Sequence, residues 1–153
     1  MIIDDSKITD SMKLMKNIEA IIVDVDGTVA LMEGKRTPFE WDKVALDAPN
    51  LPIIELVQTL RDAGLKVLVT TGRDGVCLND TKTWLADHGV LYDAIFIRPE
   101  RDSRDDTVIK KEIYDNHIKD KYKIKYVIDD RDKVVKMWRD LGLTVLQVAD
   151  GDF

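Results

Sequence analysis

Five short apolar runs, separated by stretches of helical periodicity, constrain the fold of this chain more than any other feature. Ala20 to Val23, Lys66 to Thr70, Ala94 to Ile97, Ile124 to Ile128 and Leu143 to Val148 are near-continuous in apolar character rather than alternating, as strands covered on both faces are. Between them, Pro52 opens a helix with Ile53, Leu56, Val57 and Leu60 at i, i+3, i+4, i+7 spacing, and Gly64 ends it. Further helices are predicted from about Asn79 to His88 with Gly89 as terminator, from about Asp106 to Lys119, and from about Asp132 to Leu141. The last carries a stripe of Val134, Met137, Trp138 and Leu141 before Gly142. Strand and helix alternating at this length imply parallel strands joined by right-handed crossovers. The predicted class is α/β, doubly wound, with helices on both faces of the sheet.

The chain has 153 residues, enough for one compact domain and too few for two. No repeat or Pro/Gly/Ser-rich linker divides it. We read residues 17–153 as the domain and 1–16 as an N-terminal extension or short helix, with Ile8, Met12 and Met15 on one side of a helix from Lys7 to Asn17. No apolar run approaches the ~18 residues of a membrane helix, and the mixed charges of Met1 to Lys16 do not suit a signal peptide, so a cytoplasmic protein without membrane contact is expected. Cys77 is the only cysteine and there are two histidines. An intramolecular disulfide and a zinc site of Cys/His type are thereby excluded, and any metal would rest mainly on oxygen ligands. Twenty-nine acids against 23 bases give a net charge of −6. That balance argues against broad nonspecific attraction to nucleic acid or anionic membranes, though not against a local basic groove.

In such a sheet, ligands bind at the carboxyl ends of the strands near the topological switch point. The first strand runs into Asp24, Val25, Asp26, Gly27, Thr28, the second into Thr71, Gly72, Arg73, and the fourth into Asp129 and Asp130. Parallel strands bring the carboxylates of Asp24, Asp26, Asp129 and Asp130 together. They could not all stay ionised without a cation, and an oxygen-only set suits Mg²⁺. A carboxylate beside Mg²⁺ is a competent nucleophile toward phosphorus, and Asp24 takes that role. Gly27 allows the chain to turn so that Asp26 faces the leaving oxygen as general acid and then base. Thr71, Arg73 and Lys110 supply donors for phosphoryl oxygens, and Asp129 with Asp130 holds the metal.

DVDGT after a strand, Thr-Gly-Arg after the next, a helix lysine and a late Asp-Asp pair resemble the four motifs of the haloacid dehalogenase phosphatase superfamily. The longer strings VIDDRDKVVKMWRDLG, QVADGDF, DVDGTVA and VIKKEIY are similar to the 3′-phosphatase domain of phage polynucleotide kinase-phosphatase, over roughly Asn17 to Phe153. The resemblance implies a Rossmann-like five-stranded sheet, capless or with a small flap. It also implies Asp24 as nucleophile, Asp26 as acid/base, Arg73 and Lys110 on the phosphate, and Mg²⁺ at Asp129 and Asp130. It adds a functional arginine after the first motif, for which Arg36 is favoured over Lys35, and a carboxylate at Asp106 that orients Lys110 or simply pairs with it. The implied reaction is Mg²⁺-dependent hydrolysis of 3′-phosphomonoesters at DNA or RNA ends, in a bacterium or a phage-infected host, with kinase or ligase partners on separate chains. No GxxxxGK[ST] phosphate loop occurs, so no kinase activity is expected.

The rival readings are the same chemistry on nucleotides or phosphoproteins, and a noncatalytic receiver-like phosphoacceptor, against which Asp26 speaks. Arg98, Arg101 and Arg104 interleave with acids and read equally as a solvated loop or as backbone contacts. Trp84 and Trp138 read as core, and His88 and His117 as structural. Trp41 with Phe39 lies in the flap, where it could stack on a terminal base.

Overall fold

The computed structural model describes residues 18–153, so the helix expected from Lys7 to Asn17 lies outside the described residues. The chain order is β1 (Glu19–Val23), β2 (Ala30–Leu31), a 3₁₀ segment Trp41–Leu46, β3 (Ala48–Pro49), α1 (Leu51–Asp62), β4 (Lys66–Asp74), a 3₁₀ turn Gly75–Cys77, α2 (Leu78–Asp87), β5 (Ala94–Arg98), α3 (Asp106–Ile113), a π turn Tyr114–Ile118, β6 (Lys123–Asp129), α4 (Asp132–Asp140) and β7 (Val145–Gln147). Five strands form one sheet in the order β5-β4-β1-β6-β7, with every pairing parallel. The α/β, doubly wound class expected from the five apolar runs is therefore the class observed.

Alternation along the buried strands divides the core in two. Ile21 and Val23 of β1 join Val57 of α1 and Trp84 and Leu85 of α2 on one face. Ala20 and Ile22 join Ile109 of α3 and Val134 and Trp138 of α4 on the other. Side chains of period two on a strand must point to opposite faces, so one central strand feeds both cores. Near-continuous burial holds for β1, but β5 is half-buried along its whole length because it lies at the sheet edge.

Two departures from the sequence reading, and the form of the flap, matter for the site. β4 runs four residues beyond Thr70 and carries an irregularity, with Thr71 opposite Ile97 but Asp74 opposite Arg98. Gly72 and Arg73 are thus extra residues on one strand, and a bulge of this kind re-aims side chains. The third helix stops at Ile113 and passes into the π turn rather than continuing to Lys119. The segment between β1 and α1 forms the small flap, a two-stranded antiparallel pair of β2 and β3 carrying the 3₁₀ segment. No helix among the described residues is long and apolar enough to cross a membrane.

Candidate active site

β1 is the central strand and its neighbours β4 and β6 come from opposite directions of winding, so the crevice beyond their carboxyl ends is the switch point of the sheet. Asp24 leaves β1 there, its backbone N–H donating to Ile128 O at 3.0 Å. Asp129 is the last residue of β6 and Asp130 follows it. Carboxylate oxygens of Asp24, Asp129 and Asp130 all lie within 4.8 Å of one another. Asp26 belongs to the same loop, but its carboxylate is outside this cluster.

The cluster is held from every side. Lys110, 1% exposed on α3, donates to Asp24 Oδ1 at 2.8 Å and Asp129 Oδ2 at 3.0 Å. Thr28 Oγ1 donates to Asp24 Oδ2 at 2.9 Å, and Trp138 Nε1 to Asp129 Oδ2 at 3.3 Å. Asp129 Oδ1 accepts from the backbone N–H of Asp130 at 2.8 Å. Gly27 has φ +79°, and a Cβ there would lie 2.0 Å from Asp130 Oδ2. Its absence of side chain therefore allows both the turn and the approach of Asp130.

One ammonium facing three buried carboxylates leaves excess negative charge. Burial, then Asp129, pushes the Asp24 carboxyl well above its ordinary pKa against the pull of Lys110. Burial likewise raises Asp130. For Lys110, burial opposes the charged form, but Asp129, Asp24 and Asp106 outweigh it and push the ammonium well up. A compact, all-oxygen donor set with unmet need for positive charge fits a hard divalent cation such as Mg²⁺.

A second charged group lies beside the first. Arg36 donates from Nη2 to Asp26 Oδ1 at 2.9 Å and from Nε to Asp47 Oδ1 at 2.7 Å. Arg73 reaches Asp26 Oδ1 at 2.8 Å and Asp47 Oδ2 at 2.7 Å through Nη2, and Thr81 Oγ1 at 3.0 Å through Nη1. Both guanidinium side chains and the Asp47 side chain are 0% exposed, while that of Asp26 is 28% exposed. Of the two candidates after the first motif, the Arg36 side chain is buried against Asp26 and Lys35 is exposed. The sequence expectation for both arginines is contact with phosphoryl oxygens; in this structure their donors are on Asp26 and Asp47 instead.

Asp47 is the residue that sequence reasoning missed. It sits at the end of the 3₁₀ segment, where an acid ahead of a strand carries no periodic signal, and Trp84 Nε1 donates to its carbonyl at 2.9 Å. Asp47→Asn removes the charge that both guanidiniums share, and a misplacement of about 1 Å can cost ~10²-fold in rate. We expect kcat/KM to fall about 100-fold, a larger proportionate loss than in thermal stability; a variant within about twofold of the parent would reject a positioning role.

The remaining expected residues fall around the same crevice. Thr71 Oγ1 accepts from the Arg73 N–H at 3.1 Å, leaving its own hydrogen for another acceptor. A Cβ on Gly72 would lie 1.8 Å from Asp106 Oδ1, so the glycine makes room for that carboxylate. Asp106 stands 3.9 Å from Lys110 Nζ and 3.5 Å from Arg98 Nη2, and its buried Oδ1 has no hydrogen-bond partner among the described residues. It thus pairs loosely with Lys110 rather than locking it. Trp84 and Trp138 are core residues, 2% and 0% exposed. His88 packs on Trp84 and His117 stacks on Phe96, as structural histidines do. Cys77 is buried, and burial pushes its thiol pKa up. Above the crevice opens a groove of about 610 Å³ whose lining includes residues of the flap and of the loop after β5.

Comparison with known proteins gives the chain a family. The family described as the polynucleotide kinase PNKP phosphatase domain matches residues 18–153. A protein of Autographa californica nuclear polyhedrosis virus, named as a bifunctional polynucleotide kinase/RNA ligase, is 35% identical over 134 residues, which is 85% of this chain and 19% of the viral protein. Chains in structures of the Pnkp1/Rnl/Hen1 RNA repair complex superpose with a TM-score of 0.87 at 36% identity, covering 90% of this chain and 48% or 44% of theirs. This chain therefore spans less than half the length of these relatives. A D,D-heptose 1,7-bisphosphate phosphatase of B. bronchiseptica complexed with magnesium and phosphate shares the fold alone, at 18% identity and a TM-score of 0.60 over 84% of this chain and 79% of that one.

Proposed function

The chain belongs to the polynucleotide kinase phosphatase-domain family within the haloacid dehalogenase-like phosphatases, and from that premise we propose that it is a Mg²⁺-dependent polynucleotide 3′-phosphatase. The observation that carries the reading is the pairing of two carboxylates of one loop in different surroundings. Asp24 lies in the acidic cluster beside Lys110, and Asp26 lies two residues on, outside that cluster and partly open to the groove.

Asp24, Asp129 and Asp130 would hold Mg²⁺, which when bound screens the nucleophile's charge from that of the phosphate. A carboxylate oxygen of Asp24 attacks phosphorus, and the bond from phosphorus to the 3′-oxygen breaks. Asp26 delivers a proton to that oxygen, leaving a 3′-hydroxyl end and a phosphoryl group on Asp24. In the second step Asp26 takes a proton from water, whose oxygen attacks phosphorus, and Asp24 is released with inorganic phosphate. Lys110 faces Asp24 and offers charge to the phosphoryl oxygens, where negative charge concentrates during transfer. Arg36 and Arg73 hold Asp26 in position, and an incoming phosphate can take over part of their charge, freeing Asp26 to carry its proton. The membership of its relatives in RNA repair assemblies supports action at nucleic-acid ends beside kinase or ligase partners.

Phosphate release from matched oligonucleotides bearing a 3′- or a 5′-phosphate, with Mg²⁺ and with EDTA, tests the assignment. Mg²⁺-dependent release from the 3′ end alone is expected. Equal release from both ends, or release only from nucleotides or phosphopeptides, would move the substrate elsewhere within the same chemistry.

A further inference from the structure

The three arginines of the loop after β5 differ in what they hold. Arg98 turns inward, with Nε donating to Gly72 O at 2.8 Å and Nη1 to the carbonyls of Asp102 and Arg104. Arg104 is neutralised by Asp102 at 2.6 Å and Glu112 at 2.5 Å. Arg101 has neither role. Its backbone takes a left-handed conformation, φ +62°, with its N–H donating to Asp74 Oδ2 at 3.0 Å. Its exposed guanidinium has no ion pair among the described residues and lines the groove. Left-handed backbone at a long L side chain is uncommon and here sets an uncommitted cation at the rim.

The flap lends the same groove an apolar lining of Met32, Pro38, Phe39 and Trp41. Phe39 is 81% exposed, the most exposed of the large apolar side chains described, and it meets Trp41 edge-on at 6.3 Å between ring centroids. Trp41 packs against it at right angles, and the high exposure of Phe39 leaves much of its ring open at the groove. An exposed phenyl ring and an unpaired guanidinium lining one groove match the two repeating parts of a single nucleic-acid strand, an apolar base and an anionic phosphate.

We propose that Phe39 and Arg101 grip the end of a single strand, Phe39 stacking on the 3′-terminal base and Arg101 meeting the internucleotide phosphate that precedes it. This grip sets the preference for a polymer end over a small phosphomonoester. It rests on the polynucleotide reading above and assigns it to two residues. Neither side chain holds the fold together, since Phe39 is exposed and Arg101 is unpaired, so their substitution leaves a folded protein.

The test compares kcat/KM on three substrates: p-nitrophenyl phosphate, thymidine 3′-monophosphate and a single-stranded oligonucleotide with a 3′-phosphate. For Phe39→Ala, the ratio of oligonucleotide to p-nitrophenyl phosphate values should fall about tenfold, mainly through KM, with recovery in Phe39→Trp. For Arg101→Ala, the ratio of oligonucleotide to thymidine 3′-monophosphate values should fall, and the salt dependence of log KM should become shallower by about 0.7, with recovery in Arg101→Lys. Ratios within about twofold of the parent in both variants, on a parent that cleaves the oligonucleotide, would overturn the grip and leave the polynucleotide reading standing. A parent that cleaves p-nitrophenyl phosphate but no oligonucleotide would overturn both.

Discussion

Asp24→Asn should abolish turnover and, in the absence of magnesium, stabilise the protein. The amide keeps the shape of the side chain but cannot attack phosphorus, so kcat should fall by on the order of 10⁴-fold or more. The stability effect has the opposite sign because Asp24 is 5% exposed among Asp129 and Asp130. Burial and these neighbours raise its pKa above the ordinary 3.8. A carboxyl whose folded pKa is raised binds its proton more tightly in the folded state. Its contribution is full below the unfolded value and is lost as pH rises through the folded one. The parent in EDTA should therefore lose stability as pH climbs above about 4, and the asparagine variant should lose less, so the gap between them widens toward neutral pH. Thermal melts in EDTA across that range read the gap directly, and Mg²⁺ should raise the melting temperature of the parent more than that of the variant. Turnover above about 1% of the parent value would place the nucleophile elsewhere.

Lys110→Met should be the most damaging single change to the site's stability. The ammonium lies between Asp24 at 2.8 Å and Asp129 at 3.0 Å, all three side chains no more than 7% exposed. Methionine fills a similar volume and offers no charge, leaving two buried carboxylates uncompensated. Breaking a buried pair in this way costs about 3–5 kcal/mol, or roughly 10 °C in melting temperature for a chain of this size. The raised pKa of Lys110 means that its contribution is fully present below its ordinary 10.5, hence throughout neutral pH. The deficit should shrink only toward acid, where Asp24 and Asp130 take up protons, or on adding Mg²⁺, which supplies the missing charge. Activity should stay about 10² to 10³-fold down even with Mg²⁺ present, because the lost donor faces the phosphoryl group. Recovery of both stability and rate by Mg²⁺ would reduce Lys110 to a structural counterion.

Much of this molecule is legible in its sequence. Five apolar runs and four periodic segments specified the class because burial on both faces demands near-continuous hydrophobicity, and that pattern is local. The same holds for Asp24, Asp129 and Asp130, which follow strands directly and therefore had to meet at one sheet edge. The bulge that carries Arg73 toward Asp26 was not legible, since a bulge inserts residues without changing hydrophobic pattern. Nor was Asp47, whose neighbours in sequence give it no distinguishing context and whose partners lie eleven and 26 positions away.

The loop after β5 makes the same point in reverse. Arg98, Arg101 and Arg104 recur at three-residue spacing among acids, and in one dimension they are equivalent. Folding sends the first inward to backbone carbonyls, pairs the third with two acids and leaves the second at the groove. The sheet, the helices and the convergence of carboxylates at the strand ends are written along the chain, because they follow from hydrophobic period and chain direction. Which charges neutralise one another and which remain free emerges on folding, because ion pairing depends on distances across the fold that no local pattern encodes.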